Sequence, residues 1–134
     1  VSLVLKAVQQ PEYEHFLKEA VDQNAANPDP VSPDRPYAGI ADRLAVLIGC
    51  ELLGIVPGRV STEVDAHLSY DTDATVAKAK RLVELYKEKG ISADRLYIKV
   101  ASTWEGIQAC KQLRQEGIDC NMTLLFSFAQ VQHS

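Results

Sequence analysis

Long apolar runs are missing from this 134-residue chain: none approaches the ~18 residues of a membrane-spanning helix, and no basic segment leads into an apolar one as in a secretory signal. Glycine and proline are sparse as well. Seven Gly and six Pro are too few for a collagen-like or disordered polypeptide. Positive charge is in deficit, with 14 Lys and Arg against 18 Asp and Glu for a net charge of −4. That is the wrong sign for a protein that gains affinity by neutralising phosphodiester backbones, so nucleic acid is not an expected partner. Cys50, Cys110 and Cys120 are odd in number, lack C-x-x-C spacing and sit among apolar neighbours, the pattern of small buried thiols in a reducing compartment. His15, His67 and His133 stand apart, so no metal is assigned to them. Glycine-rich phosphate loops and a nucleophile elbow are absent too, which leaves dinucleotide, nucleoside triphosphate and serine-hydrolase chemistry without a motif.

What is present is the composition of one ordinary soluble domain, 46% hydrophobic and 24% charged. Length limits its architecture. A closed (β/α)8 barrel takes about 250 residues, roughly 31 per strand-helix unit, so this chain has room for about four units.

Residues 2–8 are apolar enough to pack. Pro11 opens a helical pattern with Glu12 and Glu14 in its first turn and Phe16, Leu17, Ala20 and Val21 on its apolar face. Residues 24–36 hold four of the six prolines and read as a loop. A second helix is expected over 37–55, where Ile40, Leu44, Leu47, Ile48 and Leu52 recur at three- and four-residue intervals until Pro57-Gly58. The pattern then becomes regular. Residues 59–64, 95–101 and 120–125 read as strands, each followed by a capped helix. Asp71 or Thr72 caps the first of these helices, whose face is Val76, Ala79, Leu82, Val83 and Tyr86 and whose end is Gly90. Ser102-Thr103-Trp104-Glu105 has capping-box form and opens a helix that ends at Gly117, and Ser127 to Gln130 repeats that spacing. Three strand-helix repeats with short linkers imply parallel strands and an α/β fold.

The strands depart from the continuous apolar runs of a sheet buried on both faces. Because side chains alternate, Val60, Thr62 and Val64 share one face and Ser61, Glu63 and Asp65 the other. Leu96, Ile98 and Val100 oppose Lys99, and Asn121 with Thr123 forms the polar face of the third strand. Polar groups thus collect near strand C-termini, where parallel α/β folds carry their chemistry. A lysine between Ile98 and Val100 that is desolvated loses preference for its ammonium form and can attack a carbonyl. The alternative is a lysine at a sheet edge with its head in water. Glu63 and Asp65 could equally cap a helix or pair with a cation; the combination of amine, carboxylate and hydroxyl on adjacent strands favours Schiff-base chemistry. Trp104 reads as a packing residue beneath the strand ends. Lys78, Lys80, Arg81, Lys87 and Lys89 read mostly as a solvated helix face.

The segments GRVSTEVDAHLSYDTDATVAKAKRL, RLYIKVASTWEGIQA and EGIDCNMTLLFSFAQ resemble the transaldolase family of the longer type. The similarity extends over nearly the whole chain, with SLVLKAVQQPEY resembling the stretch that follows the family's second barrel strand. The resemblance implies a partial (β/α)8 TIM barrel, about three parallel strands with flanking helices and no closure. It makes Lys99 of IKVASTW the Schiff-base residue. Glu63 of STEVD and Thr123 of NMTLLFS correspond to the pair that holds a catalytic water, and Asn121 to a residue that contacts substrate hydroxyls. The implied reaction moves a dihydroxyacetone unit from sedoheptulose 7-phosphate to glyceraldehyde 3-phosphate in the non-oxidative pentose phosphate pathway, in the cytoplasm. No metal or organic cofactor is implied, since the protonated imine is the electron sink.

Departures from the family accompany these matches. The cleavage acid, an aspartate on the first strand, falls before Val1, and the phosphate-binding arginine and serine fall beyond Ser134. Val1 replaces a proline, and His67 stands where arginine is usual. Residues 1–134 therefore read as a single, incomplete central piece carrying the Schiff-base half of a site, with little turnover expected alone. Two other readings accompany it. A fructose 6-phosphate aldolase would share the lysine but use a tyrosine for proton transfer, against which Glu63 with Thr123 argues. A non-catalytic α/β piece would act only through assembly. Unpaired strand edges lead to the expectation of self-association, and sugar phosphates are the expected ligands, with no membrane partner.

Overall fold

A computed structural model describes residues 6, 9–29 and 35–133. A short 3-10 turn at Pro11–Tyr13 leads into helix α1, Glu14–Ala26. Helix α2 is Ala38–Ile55, and strand β1, Val60–Glu63, follows the Pro57-Gly58 break. Then come α3 (Thr72–Glu88), β2 (Leu96–Ala101), α4 (Trp104–Gln115), β3 (Cys120–Thr123) and α5 (Phe128–His133). The strands form one parallel sheet in the order β1-β2-β3, which does not close on itself. The fold is α/β, consistent with part of a TIM barrel. Among the described residues no helix is long and apolar enough to cross a membrane.

Alternation along the strands builds the core. Leu96, Ile98 and Val100 on β2 are buried against Val76, Ala79, Leu82, Leu85 and Tyr86 of α3, Ala109 and Leu113 of α4, and Val46 and Leu53 of α2. Burying each large side chain contributes about 1.5–3 kcal/mol, which is why the helices stay on this one face. The opposite face, with the odd-numbered side chains, is left without a covering layer among the described residues. A second, smaller cluster of Ala20, Leu44 and Leu47 joins α1 to α2. The three cysteines are half-buried free thiols.

Helix ends follow the chemistry of their caps. Asp71 accepts from the amide of Ala74 at 2.9 Å, and Gly90 and Gly117 adopt φ of 79° and 78° after α3 and α4, a conformation in which a Cβ would be strained. At α4 the cap is Thr103, accepting from Gly106 at 3.0 Å, rather than the expected Ser102. Ser102 is used elsewhere: its hydroxyl and its amide both donate to the carbonyl of Thr123, at 2.7 and 2.8 Å. Gly106 is required because a Cβ there would overlap the Ala101 carbonyl, so α4 can start directly behind the end of β2.

Several local expectations are revised by contacts between elements. Helix α1 continues through Ala26, so residues 24–26 of the expected loop are helical. Leu17 and Val21 are exposed, and on α2 it is Leu53 that is buried while Leu52 faces out. The third strand stops at Thr123 rather than residue 125, because Leu124 takes a φ of 62° that no strand accommodates. Trp104 is 60% exposed at the rim rather than packed beneath the strand ends, and meets the His133 ring edge-on at 6.0 Å. The basic cluster on α3 is also not simply solvated. Lys78 bonds Asp42 at 2.5 Å and Arg81 bonds Asp29 at 2.7 Å, tying α3 to α2 and to the segment after α1, while Lys80 reaches Glu116 at 2.6 Å and Lys89 reaches Glu19 at 2.9 Å. The apolar stretch 2–8 falls almost wholly outside the described residues.

Candidate active site

Parallel pairing brings three of the four candidate residues into one cross-strand row. Glu63 is in register with Lys99, and Lys99 with Asn121. All three side chains stand on the open face, because each is an odd position on a strand whose even positions face the helices. Thr123 pairs with Ala101, two residues further toward the C-terminal rim on the same side.

Lys99 Nζ lies 4.0 Å from Glu63 Oε2. With Lys99 37% and Glu63 47% exposed, this ion pair adds little to stability, and its importance is the placement of amine and carboxylate. The Lys99 side chain is half-buried among the described residues. Ile98 and Val100 flank it in sequence but point to the opposite face, so they cannot take its ammonium out of water.

Asn121 is oriented by a residue that sequence reading did not single out. Its Nδ2 donates to Ser61 Oγ at 3.2 Å, which leaves Oδ1 available to accept a hydroxyl. At the base of the same face Arg59 lies 4.7 Å from the centre of the Tyr97 ring and bonds Asp119 at 2.6 Å. At the rim, a cleft of about 50 Å³ is lined by Glu63, Ala101, Thr123 and Leu124, among others; Lys99 does not line it. That volume accepts a water-sized molecule and falls well short of the ~300 Å³ or more of a typical ligand pocket.

Beneath this row the structure is tied to the core. Thr62 turns its hydroxyl inward to that of Tyr86, 2.5 Å away and fully buried. Burial pushes the Tyr86 phenol up to about 12, with the bond to Thr62 pulling the other way. Asp65, just past β1, accepts from the amide of His67 at 3.0 Å and pairs with Arg35. Burial raises its carboxyl, but these two partners outweigh it and hold the group below the ordinary range. Among the described residues no group of three or more His, Cys, Asp and Glu could hold a metal ion.

An amine and a carboxylate side by side at the C-terminal end of parallel strands, with an amide and a hydroxyl beside them, is the arrangement of an α/β protein suited to carbonyl chemistry at a lysine. Comparison with known proteins narrows that class. The profile of the family described as "Transaldolase/Fructose-6-phosphate aldolase" matches residues 1–134. A transaldolase of Marinomonas sp. (strain MWYL1) is 56% identical over 131 residues, covering 98% of this chain and 41% of that protein. Those of Photorhabdus laumondii subsp. laumondii and Edwardsiella ictaluri are each 55% identical, with the same coverage. The chain belongs to the transaldolase/fructose-6-phosphate aldolase family, and it spans 41% of the length of these relatives.

Proposed function

We propose that this chain carries the imine-forming part of a transaldolase site, with Lys99 as the amine that attacks the donor ketone. Attack and loss of water give an iminium that withdraws electrons from the carbon-carbon bond to be broken. Glu63 and Thr123 hold a water between them that serves the proton transfers of imine formation and hydrolysis, and Asn121 accepts a donor hydroxyl. The substrates are sugar phosphates of the non-oxidative pentose phosphate pathway, with sedoheptulose 7-phosphate giving up a dihydroxyacetone unit to glyceraldehyde 3-phosphate in the cytoplasm. The observation that supports this best is the register Glu63, Lys99, Asn121, with the amine 4.0 Å from the carboxylate. Family resemblance puts the cleavage acid and the phosphate-binding groups in the remaining length of the relatives, so turnover by these 134 residues alone is expected to be slight.

Borohydride trapping tests the proposal. With fructose 6-phosphate and borohydride, peptide mass spectrometry is expected to find a reduced dihydroxyacetone or hexose adduct on Lys99, lost in Lys99→Arg. An unmodified Lys99 would sink the catalytic reading for this chain.

A second reading, assembly through the open sheet, is favoured by other observations. The outer edges of β1 and β3 pair with no strand among the described residues, and Phe126, Phe128 and Val131 are exposed beside β3. Self-association is the expected result in sedimentation experiments, and a monodisperse 14.8 kDa monomer rejects it.

A further inference from the structure

We propose that Gln130 is a positioning residue that sets Thr123 against Lys99 and Glu63; the inference rests on the reading of these three residues given under Proposed function. Its helix-capping role is visible in the spacing from Ser127. Gln130 Oε1 accepts from the Ser127 amide at 3.0 Å while the Gln130 amide donates to Ser127 Oγ at 3.3 Å. A cap needs no more than that. Here the same Oε1 also accepts from the Phe126 amide at 2.9 Å, and Nε2 donates to two carbonyls in different segments, Leu124 at 3.1 Å and Ser102 at 3.0 Å.

These two carbonyls are the ones that matter to the site. Leu124 follows Thr123 directly and holds the left-handed φ of 62°, a conformation a leucine keeps only when its surroundings compel it. Ser102 follows the strand of Lys99 and donates twice to the Thr123 carbonyl. The carboxamide of Gln130 thus closes a circuit from Thr123 through Ser102 to Leu124, locking the rim end of β3 to the rim end of β2. Since Thr123 and Leu124 both line the cleft beside Glu63, loosening this circuit shifts the hydroxyl relative to amine and carboxylate. Gln130 touches none of the reacting groups in this scheme and acts through Thr123.

The experiment uses the 134-residue chain and two substitutions. Gln130→Ala removes both ends of the carboxamide. Gln130→Glu keeps an acceptor but turns a carboxylate toward the Leu124 and Ser102 carbonyls, and regains one donor only when protonated. Two readouts are taken: amide hydrogen exchange at Ser102, Phe126 and Ser127 with Ile98 as the core reference, and the rate of borohydride trapping at Lys99 with fructose 6-phosphate. Gln130→Ala is expected to speed exchange at the three rim amides about tenfold, with Ile98 unchanged, and to slow trapping about tenfold with half-saturation moving less than about twofold. Gln130→Glu, measured as a ratio to wild type at each pH with cyanoborohydride as the reductant, is expected to recover trapping as pH falls from about 7 to about 4, through protonation of the introduced carboxyl. Trapping by Gln130→Ala at the wild-type rate overturns the inference. So does slower trapping that comes only with faster exchange at Ile98 and with no pH dependence in Gln130→Glu, the signature of a structural cap. Failure of the wild-type chain to form any adduct is a different result, overturning the functional reading on which the inference stands.

Discussion

Replacing Gly49 by alanine sets two effects of opposite sign against each other. Gly49 lies within α2, where alanine is favoured over glycine by about 0.5–1 kcal/mol through backbone entropy. A Cβ at this position would overlap the Tyr86 hydroxyl and come within 2.8 Å of Cζ and 3.1 Å of Cε1. The ring has nowhere to go, since it is fully buried and its hydroxyl is 2.5 Å from Thr62 Oγ1. Overpacking of this kind costs about 1–3 kcal/mol, and displacing the phenol leaves the Thr62 hydroxyl buried without a partner for about 1–3 kcal/mol more. The clash therefore wins, with a net loss of about 2 kcal/mol or more and, for a domain of this size, a fall in Tm of roughly 3–5 °C per kcal/mol. Gly54→Ala is the control. Nothing lies within 4 Å of its added Cβ, so that variant is expected to match or slightly exceed the wild type. In the double variant Gly49→Ala/Tyr86→Phe the oxygen overlap is gone, and urea denaturation should show less destabilisation than the sum of the single changes by about 1 kcal/mol. Equal stability of Gly49→Ala and Gly54→Ala would refute the reasoning. The alkaline limb gives an independent check. A phenol raised to about 12 contributes stability that is fully present below its unfolded value near 10 and is lost as pH rises through about 12, and Tyr86→Phe removes that dependence.

Other expected outcomes test the site and the connections beneath it. Glu63→Gln should slow borohydride trapping at Lys99 by about 10²-fold while leaving the circular dichroism spectrum unchanged; a loss below about threefold argues against a proton-transfer role. Asp65 has a carboxyl held below its ordinary range, so it contributes stability that is present above about pH 4 and is lost as pH falls through its lower folded value. Asp65→Asn should therefore flatten the acid limb of a urea-stability profile, and an unchanged limb rejects that assignment. Asp29 faces both Arg43 at 3.3 Å and Arg81 at 2.7 Å, and Arg43 is 3% exposed. Asp29→Asn leaves that buried guanidinium with the Asn27 carbonyl at 2.6 Å, and a cost of about 3 kcal/mol is expected in chemical denaturation, with less than about 1 counting against it.

Much of the scaffold was legible because helices and strands announce themselves by period. The spacing of Val76, Ala79, Leu82, Val83 and Tyr86 predicted the apolar face of α3; four of the five are buried and Val83 is partly buried against the same core. Alternation places Glu63, Lys99, Asn121 and Thr123 on polar strand faces, and the capping spacing of Ser127 with Gln130 predicts a cap that forms on both sides. Less legible were contacts that join distant segments. Nothing near Arg43 in sequence marks it for burial, and the pairing of Thr62 with Tyr86 or of Asn121 with Ser61 has no local signature. Ser102 had the spacing of a cap and lost that role to Thr103, because the Thr123 carbonyl offers its hydroxyl another partner. Ile98 and Val100 show the same limit: adjacency along a strand places side chains on opposite faces, so they say nothing about what covers the Lys99 amine.

By itself the sequence determined the type and order of the elements, the polar face of each strand and the residues able to do carbonyl chemistry, because these depend on local periodicity and on side-chain type. Tertiary structure alone decided that Glu63, Lys99 and Asn121 share one row, that Ser102 bonds the Thr123 carbonyl, and that Gln130 bonds the carbonyls of Ser102 and Leu124. Register and burial are properties of pairs of segments brought together by the whole fold, and no single stretch of chain encodes them.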